Sequence, residues 1–217
     1  MRTLALLLSL AATTPARADI VRMRPFEAGN RSVGLQLGTA RPSEPLFKQT
    51  VRAGAISNAQ AMLYVWDWVA VGAEIGYLRF FKKNLTGQAS LKGVPASTDL
   101  NSEAQALAAL ALVRVNFFER GTWTPYALGG AGMHRFEQTL NAAVSVGGQP
   151  ATAAFTANST GLAITAGAGV EVFLVRDASL SIEARFHQFR LDSKKFNNDA
   201  ESLSIMLGVH FWWGRDW

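Results

Sequence analysis

The residues best placed to do chemistry are ionisable ones set singly among apolar neighbours. Glu74 lies between Ala73 and Ile75, Arg114 between Val113 and Val115, and Glu171 between Val170 and Val172. Glu183, Arg185 and His187 follow one another at intervals of two. In an extended strand, residues two apart share a face, so each group stands opposite its apolar neighbours. Gln36, Asn58, Gln60, Asn116, Arg135, Ser204 and His210 are assigned the same inward side. Acids and bases on the inner faces of a narrow closed sheet either pair and fill the space or line a path for an ion or small solute. The expectation is the first: Glu74, Arg114, Glu171, Glu183, Arg185 and His187 form a polar network that plugs the lumen.

Two other chemistries are disfavoured. His134, His187 and His210 fall on different segments with no carboxylate at ligand spacing, and the chain has no cysteine. Neither a thiolate nor a histidine metal site is therefore expected. A Ser–His–acid constellation could be assembled from distant strands, but no motif marks one. The expectation is no metal, no cofactor and no catalytic residue.

The elements that must position these groups are short alternating strands. The clearest is the last, Leu203 to Trp213, with Leu203, Ile205, Leu207, Val209, Phe211 and Trp213 on one face. Seven others precede it: 32–40, 53–66, 69–80, 103–117, 124–136, 161–173 and 179–190. The Ala-Leu-rich centre of 103–117 has good helix propensity. It shows no polar helical face, though, and ends in the alternating run Val113 to Phe117, so strand is the reading. Gly147-Gly148 between alternating residues suggests that strands five and six continue as a hairpin beyond the membrane. Short connections at 66–68, 118–123 and 175–178 alternate with long ones near 41–52, 81–102, 137–158 and 191–200. Aromatics gather at both ends: Trp66, Trp68, Phe117, Phe118, Trp123, Tyr126, Phe173, Trp212 and Trp213 near the short turns, and Tyr77, Phe80, Phe81, Phe136, Phe186 and Phe189 near the long loops. An even number of alternating strands between two aromatic girdles predicts an all-β, eight-stranded antiparallel up-and-down transmembrane β-barrel.

Composition agrees. Met1-Arg2-Thr3, the apolar run Leu4 to Ala12 and the exit Ala16-Arg17-Ala18 read as a secretory signal peptide over 1–18, cleaved near Ala18. The apolar run is far short of the roughly 20 residues a spanning helix needs. Loss of Arg2 and Arg17 leaves 19 Lys and Arg against 16 Asp and Glu, too mild an excess for nucleic-acid binding. The expected organisation is a periplasmic lead-in over 19–31, a barrel over 32–213 and a short tail over 214–217.

Thr124-Pro125-Tyr126 with Gly129-Gly130-x-Gly132, then Gly167-x-Gly169-Val170-Glu171 and the closing strand, resemble the small eight-stranded bacterial outer-membrane barrel family. The OmpA transmembrane domain, OmpX and OmpW belong to that family. The resemblance implies a monomer in the Gram-negative outer membrane, with lipid, lipopolysaccharide and the barrel-assembly machinery as partners. Gly208, Phe211 and Trp213 resemble the family's C-terminal assembly signal. Lys82, Lys83, Arg190, Lys194 and Lys195 fall just beyond the outer aromatics, where lipopolysaccharide phosphates would lie. A structural or surface-interacting role follows, with a small-solute channel as the alternative. A lipid A-modifying barrel enzyme is a weaker alternative. Deacylases of this kind carry a His-x-Ser pair on the lipid side, and no histidine here has a serine two residues on. No second, peptidoglycan-binding domain is expected.

Overall fold

A computed structural model describes residues 25–91, 94–118, 121–146, 149–194, 196 and 198–214. The expected signal peptide, residues 19–24 of the lead-in, residues 215–217 of the tail, and Lys195 lie outside them. Eight strands form a closed ring: β1 (Arg31–Pro42), β2 (Val51–Trp66), β3 (Val69–Leu91), β4 (Val94–Asn116), β5 (Trp123–Val146), β6 (Gln149–Val175), β7 (Ala178–Phe189) and β8 (Ala200–Trp213). Every neighbouring pair is antiparallel. β8 closes on β1 from Arg31↔Trp213 to Pro42↔Ser202, which removes the open edge that hydrocarbon would not tolerate. Arg31, read as lead-in, already belongs to β1.

Lipid explains the alternation. Leu35, Leu37, Ile75, Ile205 and Leu207 point outward and are each at least 60% exposed, because their solvent is the bilayer. The segment 103–117, with its helix-forming centre, is strand within β4. Neighbours on both sides supply backbone partners, and this pairing overrides local propensity. The segment 81–102, expected to be loop, instead continues β3 and β4 as a paired hairpin up to Leu91↔Val94. The β5–β6 hairpin beyond the membrane is present, paired up to Val146↔Gln149. The first long connection holds a short helix, α1 (Pro45–Thr50). Glu44 caps it by accepting the Phe47 N–H at 2.5 Å, and Pro45 starts it.

Two assignments of side-chain direction change. Arg135 faces outward, between Leu107 and Thr160 of the adjoining strands, while His134 and Phe136 face the lumen. Several end aromatics also leave the girdles. Phe80, Phe136 and Phe189 at the outer end, and Tyr126, Phe173 and Trp212 at the inner end, are buried inside the barrel. Tyr77, Phe81, Trp66, Trp68, Phe117, Phe118, Trp123 and Trp213 remain outside as interfacial rings.

Candidate functional site

From the end that carries the short turns upward, the lumen is filled in three tiers. The lowest is aromatic. Residues 25–30 tuck under the ring, where Gly29 N–H donates to the Tyr64 carbonyl and Tyr64 N–H to the Asn30 carbonyl. This seats Phe26, 1% exposed, against Tyr64, Phe173 and Trp212 with ring centroids 5.6–5.7 Å apart. Rings at this spacing attract one another and exclude water.

The middle tier is ionic. Arg185 on β7 donates from Nη1 to both oxygens of Glu74 on β3, at 2.6 and 2.7 Å, and from Nε to Glu183 at 2.5 Å. Glu183 also accepts from Tyr126 Oη at 2.8 Å and from Gln36 Nε2 at 3.3 Å. Below it, Arg114 pairs with Glu171, which also accepts from Ser179 Oγ. The Arg114 guanidinium lies 3.7 Å over the Tyr126 ring and donates from Nε to Asn116, which in turn reaches Tyr64 Oη at 2.7 Å. Trp212 Nε1 donates to Ser179 Oγ at 2.8 Å. Both arginines and all three acids are buried, so their charges are balanced by these contacts rather than by solvent.

The highest tier is again aromatic. α1 lowers Phe47 into the mouth against Phe80 at 4.9 Å and Phe136 at 5.9 Å, and Phe136 meets Phe196 at 5.7 Å. Phe189 packs between His134 and His187.

The six lumenal residues expected from the sequence are thus brought together, with His187 at the edge of the group. Its Nε2 lies 3.0 Å from Ser204 Oγ, and its ring stacks on Phe189. What sequence reasoning missed is the closure at both ends: Phe26 and Phe47 come from segments read as lead-in and loop. Two Ser–His contacts were also missed, Ser204–His187 and Ser181–His210, the latter at 2.9 Å. Strand phase on β7 and β8 could have shown both. Neither has the acid of a catalytic triad. The second nitrogen of His210 meets the Gln60 amide at 3.3 Å, and that of His187 lies 3.5 Å from Thr165 Oγ1. Among the described residues, no group of three His, Cys, Asp or Glu could hold a metal.

Of the remaining expected sites among the described residues, all but Gly208 lie on the outer surface. Phe211 and Trp213 face lipid, whereas Gly208 faces the lumen, where a Cβ would come within 2.5 Å of Ser181 Oγ. Lys82 is exposed on β3, and Lys83 Nζ donates to the Lys48 carbonyl at 2.7 Å. Arg190 and Lys194 follow β7, on the opposite side of the ring, so the four cations do not form one cluster.

Among solved structures, the chain resembles Ail, the attachment invasion locus protein of Yersinia pestis (16% identity, covering 86% of this chain and 99% of that one, TM-score 0.47). It also resembles Neisserial surface protein A (15%, 84% and 98%, 0.45) and OprG of Pseudomonas aeruginosa (11%, 89% and 100%, 0.47). A search of curated proteins found no significant match. The family model of the outer membrane protein beta-barrel domain matches residues 3–211, nearly the whole chain, and the chain belongs to that family.

Proposed function

We propose that this outer-membrane barrel is non-catalytic and sealed, with a structural or surface-interacting role rather than a conducting one. The carrying observation is the filling of the lumen at three levels: Phe26 below, the Arg114 and Arg185 network between, and Phe47 above. Its two Ser–His contacts are buried in that filling, away from any lipid substrate. In planar bilayers the wild type is expected to give little or no steady conductance, and Arg114→Ala or Arg185→Ala to give more. Large, stable wild-type channels indifferent to both changes would favour the small-solute channel. Lipid A mass spectra with and without the protein should be identical, and a new acylation state would restore the enzyme reading.

Three further assignments belong to this proposal. Gly208, Phe211 and Trp213 act as the signal read by the barrel-assembly machinery. Phe211→Ala combined with Trp213→Ala should lower accumulation in the outer membrane severalfold, and normal accumulation would displace the signal from these residues. Lys82, Lys83, Arg190 and Lys194 meet phosphates of lipopolysaccharide, and Lys195 is assigned with them by its sequence position. Arg135, exposed at the outer edge of the apolar wall, joins that set. The barrel works as a monomer.

A further inference from the structure

All three histidines of the chain face the lumen and are buried, and two of them have partners. His187 meets Ser204 and Thr165, and His210 meets Ser181 and Gln60. His134 on β5 is 2% exposed, and neither of its ring nitrogens makes a hydrogen bond among the described residues. A neutral imidazole always carries one N–H, and a buried donor left unmatched costs free energy. The neutral form of His134 is therefore incomplete where it stands.

Its place is the outer rim, where half of the ring stops. β1 ends at Pro42, β2 begins at Val51, β7 ends at Phe189 and β8 begins at Ala200, while β3 to β6 continue above as a four-stranded sheet. The loop from β7 to β8 folds over the mouth at this level, with Phe196 on Phe136 and the Asp192 N–H on Ser159 Oγ at 2.9 Å. Two hydrogen bonds root it. Arg190 N–H donates to the Leu162 carbonyl at 2.9 Å, and Leu191 N–H donates to Asp199 Oδ1 at 3.0 Å. Gly161, opposite His134 on β6, lets the root approach: a Cβ there would fall 2.4 Å from the Arg190 carbonyl oxygen and 3.2 Å from His134 Cε1.

The strands packed against His134 bring no charge to it. β4 presents Ala108, β6 presents Gly161 with the Leu162 backbone beside it, and β7 presents the Phe189 ring at 5.2 Å, with His187 beyond. Of the nearby cations, Arg135 faces the outer wall and Arg190 is exposed. The charge that acts on His134 comes from the loop, from the carboxylate of Asp199, which lines one groove with Glu44 and Glu201. The Leu162 carbonyl and the Asp199 carboxylate thus stand near His134 and also hold the loop root. Each has a lone pair to spare for a second donor.

We propose that His134 is an acid-sensing latch: once protonated, its ring donates to the Leu162 carbonyl and the Asp199 carboxylate and clamps the β7–β8 loop over the outer mouth. The proton comes from the medium, and the bonds it makes are charge-assisted, roughly twice as strong as neutral ones. The sign follows. The clamp is complete where His134 is protonated and is lost as pH rises through its titration.

The test follows the whole isotope-labelled barrel in detergent micelles by NMR as pH falls from about 7.5 to about 4.5, across the range in which histidine gains its charge. The amide signals of Arg190, Leu191 and Asp199 should move with one midpoint, shared with the His134 ring. Hydrogen exchange at the Leu191 and Phe196 amides, corrected for the intrinsic effect of pH, should slow at least tenfold on the acid side. His134→Gln should abolish the slowing. Asp199→Asn leaves the lumen untouched and keeps an acceptor for the Leu191 N–H, and it should cut the slowing at least threefold. A His134 ring that stays neutral throughout, loop amides that stay still while it titrates, equal slowing in either variant, or exchange that speeds up in acid would each overturn the proposal.

Discussion

β3 to β6 each run through two environments, and their side-chain pattern changes phase between them. Within the membrane, β3 turns Val71, Ile75 and Tyr77 outward and Glu74 inward; above the rim it turns Asn84 and Thr86 outward and Leu85 toward the axis side. Below, the outer solvent is hydrocarbon, and a lumen holding ions satisfies them with partners. Above, water bathes both faces, and the alternation serves no core. The lower region has buried opposite charges and two aromatic seals, and the upper one has hydrogen-bonded backbone and little else. Stability should therefore be concentrated below the rim, while the upper sheet is free to vary.

The largest expected effect that tests this contrast is Arg185→Ala. It strands the buried Glu74 and Glu183 together without the guanidinium that balances them, and breaking a buried pair of this kind costs about 3–5 kcal/mol. The temperature at which the fast-migrating folded form disappears on an SDS gel should fall sharply. A fall no larger than that of a rim substitution would mean the lumen is wetter and softer than its contacts indicate. Phe26→Ala should come next, at about 3 kcal/mol for the loss of a fully buried ring. Because the ring sits at one end of the lumen, water can enter the space it leaves, which places this change below Arg185→Ala. The smallest effect should be Thr152→Ala in the projecting sheet, within about 0.5 kcal/mol of zero by the same gel assay. A loss comparable to that of Phe26→Ala would show that the sheet is packed against something and would end the comparison.

The sequence displayed the lower region better than the upper, for a physical reason. Lipid enforces a strict outward code, so β7 and β8 are readable residue by residue, and Glu183, Arg185 and His187 fall on the lumenal phase at once. The code weakens where side chains shrink. β5 passes through Gly129, Gly130 and Gly132, which carry no polarity to count by, so the charge of Arg135 suggests an inward position that strand phase does not support. Counting by twos from Tyr126 reaches His134 and Phe136 instead. Aromatic residues misled for a related reason. A ring near the membrane edge suits the head-group layer and the barrel mouth equally, and only phase separates Phe81 from Phe80. The segment 81–102 looked like loop because it is polar and holds Gly87, Gly93 and Pro95. Strand pairing with water on both sides does not demand the hydrophobic content by which membrane strands are recognised. Phe26 and Phe47 left little trace, since a single aromatic in an irregular stretch says nothing about where that stretch folds. The cap at Glu44-Pro45 was the one readable sign that helix α1 follows.

The Arg185–Glu74 contact has a bearing on how the barrel is made. β7 and β3 lie four strands apart whichever way one counts around the ring, so the pair spans the full diameter. Its partners are also 111 residues apart in sequence. No hairpin contains both, and no partial sheet can bring them face to face until the seam between β1 and β8 is nearly shut. Contacts of such long range are reached late, after the entropy of closing the chain has been lost. An unfinished barrel therefore carries unmatched charge on its inner wall and lacks the contact that ties its opposite sides together. A finished one must break the same contact early in order to open. Assembly is then expected to be close to all-or-none, and escape from the membrane slow.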